Sequence, residues 1–116
     1  MPLQAGDVIR VYDHTTHPPK QKRHICICPA RQLFLRINTN AYFPPHVLLR
    51  SDGVSFLDHD SYVELQQLIR LRAYDIAQSE VIGRLNVTQR RLILLTAESC
   101  GALTDEHLDL IREQFG

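Results

Sequence analysis

The chain has little cysteine, and what it has is poorly arranged for cross-linking. Three cysteines are an odd count, and Cys26 and Cys28 sit two apart in an expected strand, which argues against a disulfide framework. Reduced thiols packed as small hydrophobes are the plain reading. Long apolar runs are missing too, for none approaches the roughly 18 residues that suggest a membrane span. The start, Met-Pro-Leu-Gln-Ala-Gly-Asp, lacks the basic segment and apolar core of a secretory signal. A cytoplasmic protein with no membrane partner is therefore expected. Aromatic residues make up only 7% of the chain, which weighs against a dedicated single-strand binder built on stacking platforms. There is no phosphate-cradling glycine-rich loop, no Gly-x-Ser-x-Gly elbow and no His-Glu-x-x-His, so the standard nucleotide, serine-hydrolase and zinc-protease signatures are excluded.

What is present fits one domain over residues 1–116, with the hydrophobic content, 44%, of an ordinary globular protein. The net charge of zero hides a division. Residues 1–50 carry seven Lys/Arg against two Asp/Glu, and residues 51–116 carry six against eleven. The halves therefore stand at +5 and −5. Such a split either marks a basic face for phosphate apart from an acidic one, or lets the halves neutralise each other.

Short β-rich runs follow one another through the first two thirds. Val8–Tyr12 reads as a first strand opened by Gly6-Asp7. Asp13–Lys22 is polar and contains Pro18-Pro19, so it reads as a loop. His24–Cys28 resumes the β pattern, and period two places His24, Cys26 and Cys28 on one face with Ile25 and Ile27 on the other. Leu33–Ile37 is a third strand, and Asn38–Pro45 an irregular connection. Val47–Leu49, Val54–Leu57, Tyr62–Leu65, Ile69–Tyr74 and Val81–Leu85 also read as extended, with a helical turn over Gln66–Leu71 as the alternative. Strands this short with turns every ten or so residues predict a small barrel over about residues 6–85.

The last third changes to helix. Asn86 with Gln89 makes a capping box, and a helix over 87–100 is expected to end at Gly101 and to turn Leu92, Ile93 and Leu95 to the core. Thr104 caps a second helix over 104–115, with Leu103 and Leu108 as a hydrophobic staple and Leu108, Ile111 and Phe115 along one face. The expected class is mainly β with C-terminal helices, α+β.

Several groups carry candidate chemistry. His14-x-x-His17 and Cys26-x-Cys28 offer four N/S ligands, but two cysteines straddling one strand residue miss the knuckle spacing of structural zinc. No metal or other cofactor is expected. Asp58-His59-Asp60 reads either as an acid/base or metal cluster or as an acidic turn before a strand. Arg23 stands where the polar loop enters the second β run, and Thr39 stands just past the third.

The layout Gly-Asp-Val-Ile-Arg-Val-Tyr, polar loop, Arg-His-Ile-Cys-Ile-Cys-Pro, Leu-Phe-Leu-Arg-Ile-Asn-Thr over Gly6–Thr39 resembles the start of the MazF/PemK/Kid toxin family. The resemblance covers roughly residues 6–75. It implies an SH3-like barrel acting as a metal-independent endoribonuclease on single-stranded RNA, a homodimer neutralised by a small antitoxin protein. By the same resemblance Arg23 stabilises the phosphate or donates a proton and Thr39 positions it, although Asn38 fits the family's Thr/Ser position nearly as well. Lys20, Lys22 and Arg36 would hold flanking phosphates. The chain departs from the family after Arg23, where His24-Ile25-Cys26 replaces a proline and small apolar residues, and after the third strand, where Arg36-Ile37-Asn38-Thr39 replaces a Pro-Ile-Thr/Ser type of sequence. These departures make His24 a candidate for acid/base work, since an imidazole titrates in the useful range. The reading from another class is a non-catalytic barrel that binds nucleic acid or protein.

Overall fold

The β-branched runs become strands of one sheet. The computed structural model describes residues 2–14, 16–41 and 44–116. Thr15 of the polar loop and Tyr42-Phe43 of the Asn38–Pro45 connection lie outside the described residues. The strands are β1 Asp7–Asp13, β2 Lys20–Cys28, β3 Leu33–Asn38, β4 His46–Leu49, β5 Ser61–Glu64, β6 Ile69–Arg70 and β7 Glu80–Arg84. The helices are α1 Ala73–Ala77, α2 Val87–Cys100 and α3 Asp105–Phe115. The seven strands pair in the order β4-β5-β3-β2-β1-β7, with β6 also on β3, and each pairing is antiparallel. This is an α+β arrangement with C-terminal helices. Its pairing path ends at β4 and β7 without closing.

Both faces of the central strands are covered, and strand alternation assigns the residues. One face presents Val8, Ile25, Leu35, Ile37 and Val63 to a large core that Ile93 and Ala97 of α2 and Ile111 and Phe115 of α3 complete. The other presents Ile9, Val11, Cys26 and Phe34 to a smaller cluster with Leu71 and Ile76. Fully burying a side chain such as Ile93 or Ile111 stabilises by about 1.5–3 kcal/mol, so the helices hold mainly through this face.

The helix ends follow the sequence signals. Asn86 Oδ1 accepts from the Gln89 amide at 2.7 Å, and Gln89 Oε1 accepts from the Asn86 amide at 2.9 Å. Gly101 ends α2 in the left-handed region at φ 66°, where a residue without Cβ avoids strain. Thr104 Oγ1 accepts from the His107 amide at 3.2 Å, while Leu103 and Leu108 both pack on the large core.

Other expectations are corrected. Leu92 and Leu95 are exposed, and the buried residues of α2 are Ile93 and Ala97; the stripe is narrower than the leucines suggested. Lys20–Lys22, read as loop, extends β2 because β1 continues to pair with it as far as Asp13↔Lys20. Val54–Leu57 forms turns with no strand, although Phe56 and Leu57 are buried. The run Ile69–Tyr74 stays extended only to Arg70 and then enters α1. A register shift between Cys26 and Cys28 puts the extra residue into β2, so Cys28 joins the large core and Cys26 the smaller cluster. The alternation that placed both cysteines on one face fails at this bulge.

Candidate nucleic-acid interface

β2 outruns β3 at one end of the sheet. The last β2–β3 pair there is Arg23↔Ile37, and the overhanging Lys20, Gln21 and Lys22 border a groove of about 170 Å³ with Arg23. Its other wall is Ile37, Asn38 and Thr39 at the end of β3, with Ser61 at the start of β5. The structure thus brings together Arg23, Thr39, Lys20 and Lys22. Ser61 stands far from all of them in sequence, and only the β3–β5 pairing brings it in; no local pattern signals it.

Arg23 is mostly buried. Its Nη2 donates to Asp58 Oδ2 at 2.9 Å, and the side chains are 21% and 79% exposed. Its Nε is buried with no hydrogen-bond partner among the described residues. An ion pair this open on the carboxylate side contributes ~0–1 kcal/mol. The other members of the Asp58-His59-Asp60 run point to separate tasks. Asp60 Oδ1 accepts from the Ser51 amide at 2.7 Å and from the Ser51 hydroxyl at 3.1 Å. The Ser51 amide, then its hydroxyl, holds the Asp60 carboxyl below the usual range. Ser61 Oγ donates to the His59 carbonyl at 3.0 Å. The run is therefore a turn fastened at both ends, with Asp58 turned to Arg23.

From the groove a polar chain runs inward. Lys22 Nζ donates to Asn38 Oδ1, and Asn38 Nδ2 donates to Glu64 Oε1 at 2.5 Å. Arg36 Nη1 lies 3.7 Å from Glu64 Oε2, and Arg36 Nη2 and Nε reach Asp13 Oδ2 at 3.0 and 3.1 Å. His24 Nε2 is 3.5 Å from the same oxygen. Asp13, Asn38 and Glu64 are buried, so their stability depends on this mutual pairing, whereas neither ring nitrogen of the buried His24 has a hydrogen-bond partner among the described residues. Burial is the main cause that lowers the Lys22 pKa, and the nearby Arg36 and Lys20 cations lower it further. Asp13 and Glu64 act in the opposite direction.

Two sequence candidates thus stand outside the groove lining. His24 is fully buried beside Asp13, because β2 pairs on both sides at that point, with Ile9 and with Arg36. Arg36 turns into the buried chain with 17% of its side chain exposed. Asp13 and Glu64, which hold it, escape sequence reading because Arg36 lies 23 residues from Asp13 and Asn38 lies 26 from Glu64.

The four N/S ligands considered for metal separate. His14 Nε2 lies 3.4 Å from Asp75 Oδ1, with Arg72 on the same carboxylate at 2.7 Å, while Cys26 and Cys28 are buried in different clusters. Among the described residues no three His, Cys, Asp or Glu side chains converge on a metal position. Among them, too, no helix is long and apolar enough to cross a membrane.

No protein-family model matches the chain, and no curated protein matches it.

Proposed function

We propose that the groove at the end of β2 and β3 binds single-stranded RNA and cuts it without a metal, the activity of a toxin in a toxin–antitoxin module. The observation that carries this reading is the meeting of Lys20, Lys22, Arg23 and Thr39 in one groove. In-line attack of the 2′-hydroxyl needs cations where charge builds on the phosphorane oxygens, and Arg23 offers a guanidinium paired with an exposed carboxylate. Thr39 positions the phosphate, and Lys20 reaches the flanking backbone. On this reading the sheet is an SH3-like barrel of the MazF/PemK kind left open between β4 and β7. A small antitoxin, a homodimer and a cytoplasmic site of action belong to the same reading.

The test uses the purified chain, free of any partner, with EDTA present. It should cut single-stranded RNA to leave a 2′,3′-cyclic phosphate. Arg23→Ala should slow cleavage by ~10²–10³ if it stabilises the phosphorane. Unchanged cleavage by a folded Arg23→Ala variant places the site elsewhere. A second reading, RNA binding without cleavage, draws on one observation: among the described residues no histidine or carboxylate lines the groove. It predicts salt-sensitive binding with no product.

A further inference from the structure

The geometry points to Lys22 as the group that hands a proton to the departing 5′-oxygen when RNA in the groove is cut, a role that rests on the cleavage reading above. The groove needs such a donor and offers few. A guanidinium serves better as a fixed charge than as a proton donor, Thr39 carries only a hydroxyl, and His24 is buried away from the lining. Lys20 is exposed, so water solvates its ammonium. Lys22 alone combines a place in the lining with a fixed ammonium.

The fixing is specific. Glu64 accepts from the nitrogen of the Asn38 amide, so the amide oxygen faces Lys22 and takes one of its hydrogens. Asn38 is 3% exposed and Glu64 7%, so this support is rigid. Charged groups surround Lys22 from every neighbouring strand: Asp13 on β1, Lys20 on β2, Arg36 on β3 and Glu64 on β5. Partial burial, and then the two cations, make the ammonium a stronger acid than a free lysine, the direction that favours proton donation.

The step balances without an added reagent. The 2′-oxygen forms a bond to phosphorus and its proton passes to water. The bond from phosphorus to the 5′-oxygen breaks with its electron pair on that oxygen, which takes a proton from Lys22. The resulting amine is reprotonated by water.

The experiment compares two RNAs of one sequence, cut by the wild-type chain at a mapped position. One has the natural linkage, and the other has sulfur in place of the 5′-oxygen, a leaving group that needs no proton. Lys22→Arg keeps the charge, so it should bind the uncleavable 2′-deoxy analogue within about twofold of wild type by the same phosphate attraction. That binding also reports an intact groove. Single-turnover cleavage of the natural RNA should fall by ~10²–10⁴, the usual contribution of a positioned acid, while the sulfur RNA should be cut within about tenfold of wild type by the same argument. In the wild type, the rate on the natural RNA should decline as pH rises through the Lys22 pKa, and the sulfur RNA should lack that limb. Equal slowing of both RNAs, or no slowing, overturns the role of Lys22 while leaving the cleavage reading intact. A wild-type chain that cuts neither RNA overturns both.

Discussion

Arg36→Met cuts the buried chain of charges at its centre. In the native fold Arg36 lies 3.0 Å from Asp13 and 3.7 Å from Glu64, and those carboxylates are 2% and 9% exposed by side chain. Methionine keeps much of the volume but leaves Asp13 with a buried charge that has lost its guanidinium. Breaking one side of a buried pair typically costs 3–5 kcal/mol, and the low end applies here because Arg36 retains some water, giving about 3 kcal/mol. That is a large share of the 5–15 kcal/mol usual for a domain. With a urea slope of about 1–3 kcal/mol per molar, the unfolding midpoint should drop by about 1–3 M. Circular dichroism across a urea series measures it. The pair Asp13→Asn with Arg36→Met should recover part of the loss, because the Asp13 charge is then no longer stranded while Glu64 keeps its bond from Asn38. A single variant within about 1 kcal/mol of wild type would falsify the argument that the network is both buried and mutually dependent. A double variant that loses the sum of the two single losses would count equally against it.

Gly83→Ala should destabilise, because a Cβ at that place meets the Phe56 side chain at 2.6–2.9 Å; overpacking of this kind costs about 1–3 kcal/mol, read as a lower melting temperature. Of the three thiols only Cys100 is exposed, and burial pushes Cys26 up to about 12, so Ellman's reagent should titrate one thiol in the native chain and three in urea. Two fast native thiols would contradict the packing. Asp60 is depressed chiefly by the Ser51 amide; a lowered carboxylate stabilises fully above its unfolded pKa and loses that contribution as pH falls through the folded value. Asp60→Asn should therefore lose less stability than the wild type on acidification, read as melting temperatures across a pH series, and identical pH dependence would remove Asp60 from that role.

Local signals carried the sequence reading where the cause was local. Asn86 and Gln89, and Thr104 with Leu103 and Leu108, are a few residues apart, and the helix ends lie where those residues place them. β1, the core of β2, and β3 were legible because short apolar runs bounded by turn residues need no distant partner to be seen. Lys20–Lys22 has no apolar alternation, and it is strand only because β1 pairs with it. The bulge at Cys28 depends on the register of β3, which single-strand periodicity does not contain. Half of the candidate site was legible for the same reason: Arg23 and Thr39 flank β runs, whereas Ser61, Asp13 and Glu64 reach the site through pairings across the sheet. Leu92 and Leu95 misled because a leucine is as good a helix former outside as inside.

The hydrogen-bonded chain from Lys22 through Asn38 to Glu64 makes one set of residues answer to two kinds of selection. If the groove cuts RNA as proposed, a screen for chains that have lost cleavage would collect substitutions at Arg23 and at Glu64 alike. Measuring protein abundance would sort them: Arg23 variants accumulate to normal levels, while Glu64 and Asp13 variants are degraded. Survivors that restore abundance to a Glu64 variant are expected at Arg36 and Asn38, the residues whose unmet polar groups the first substitution stranded.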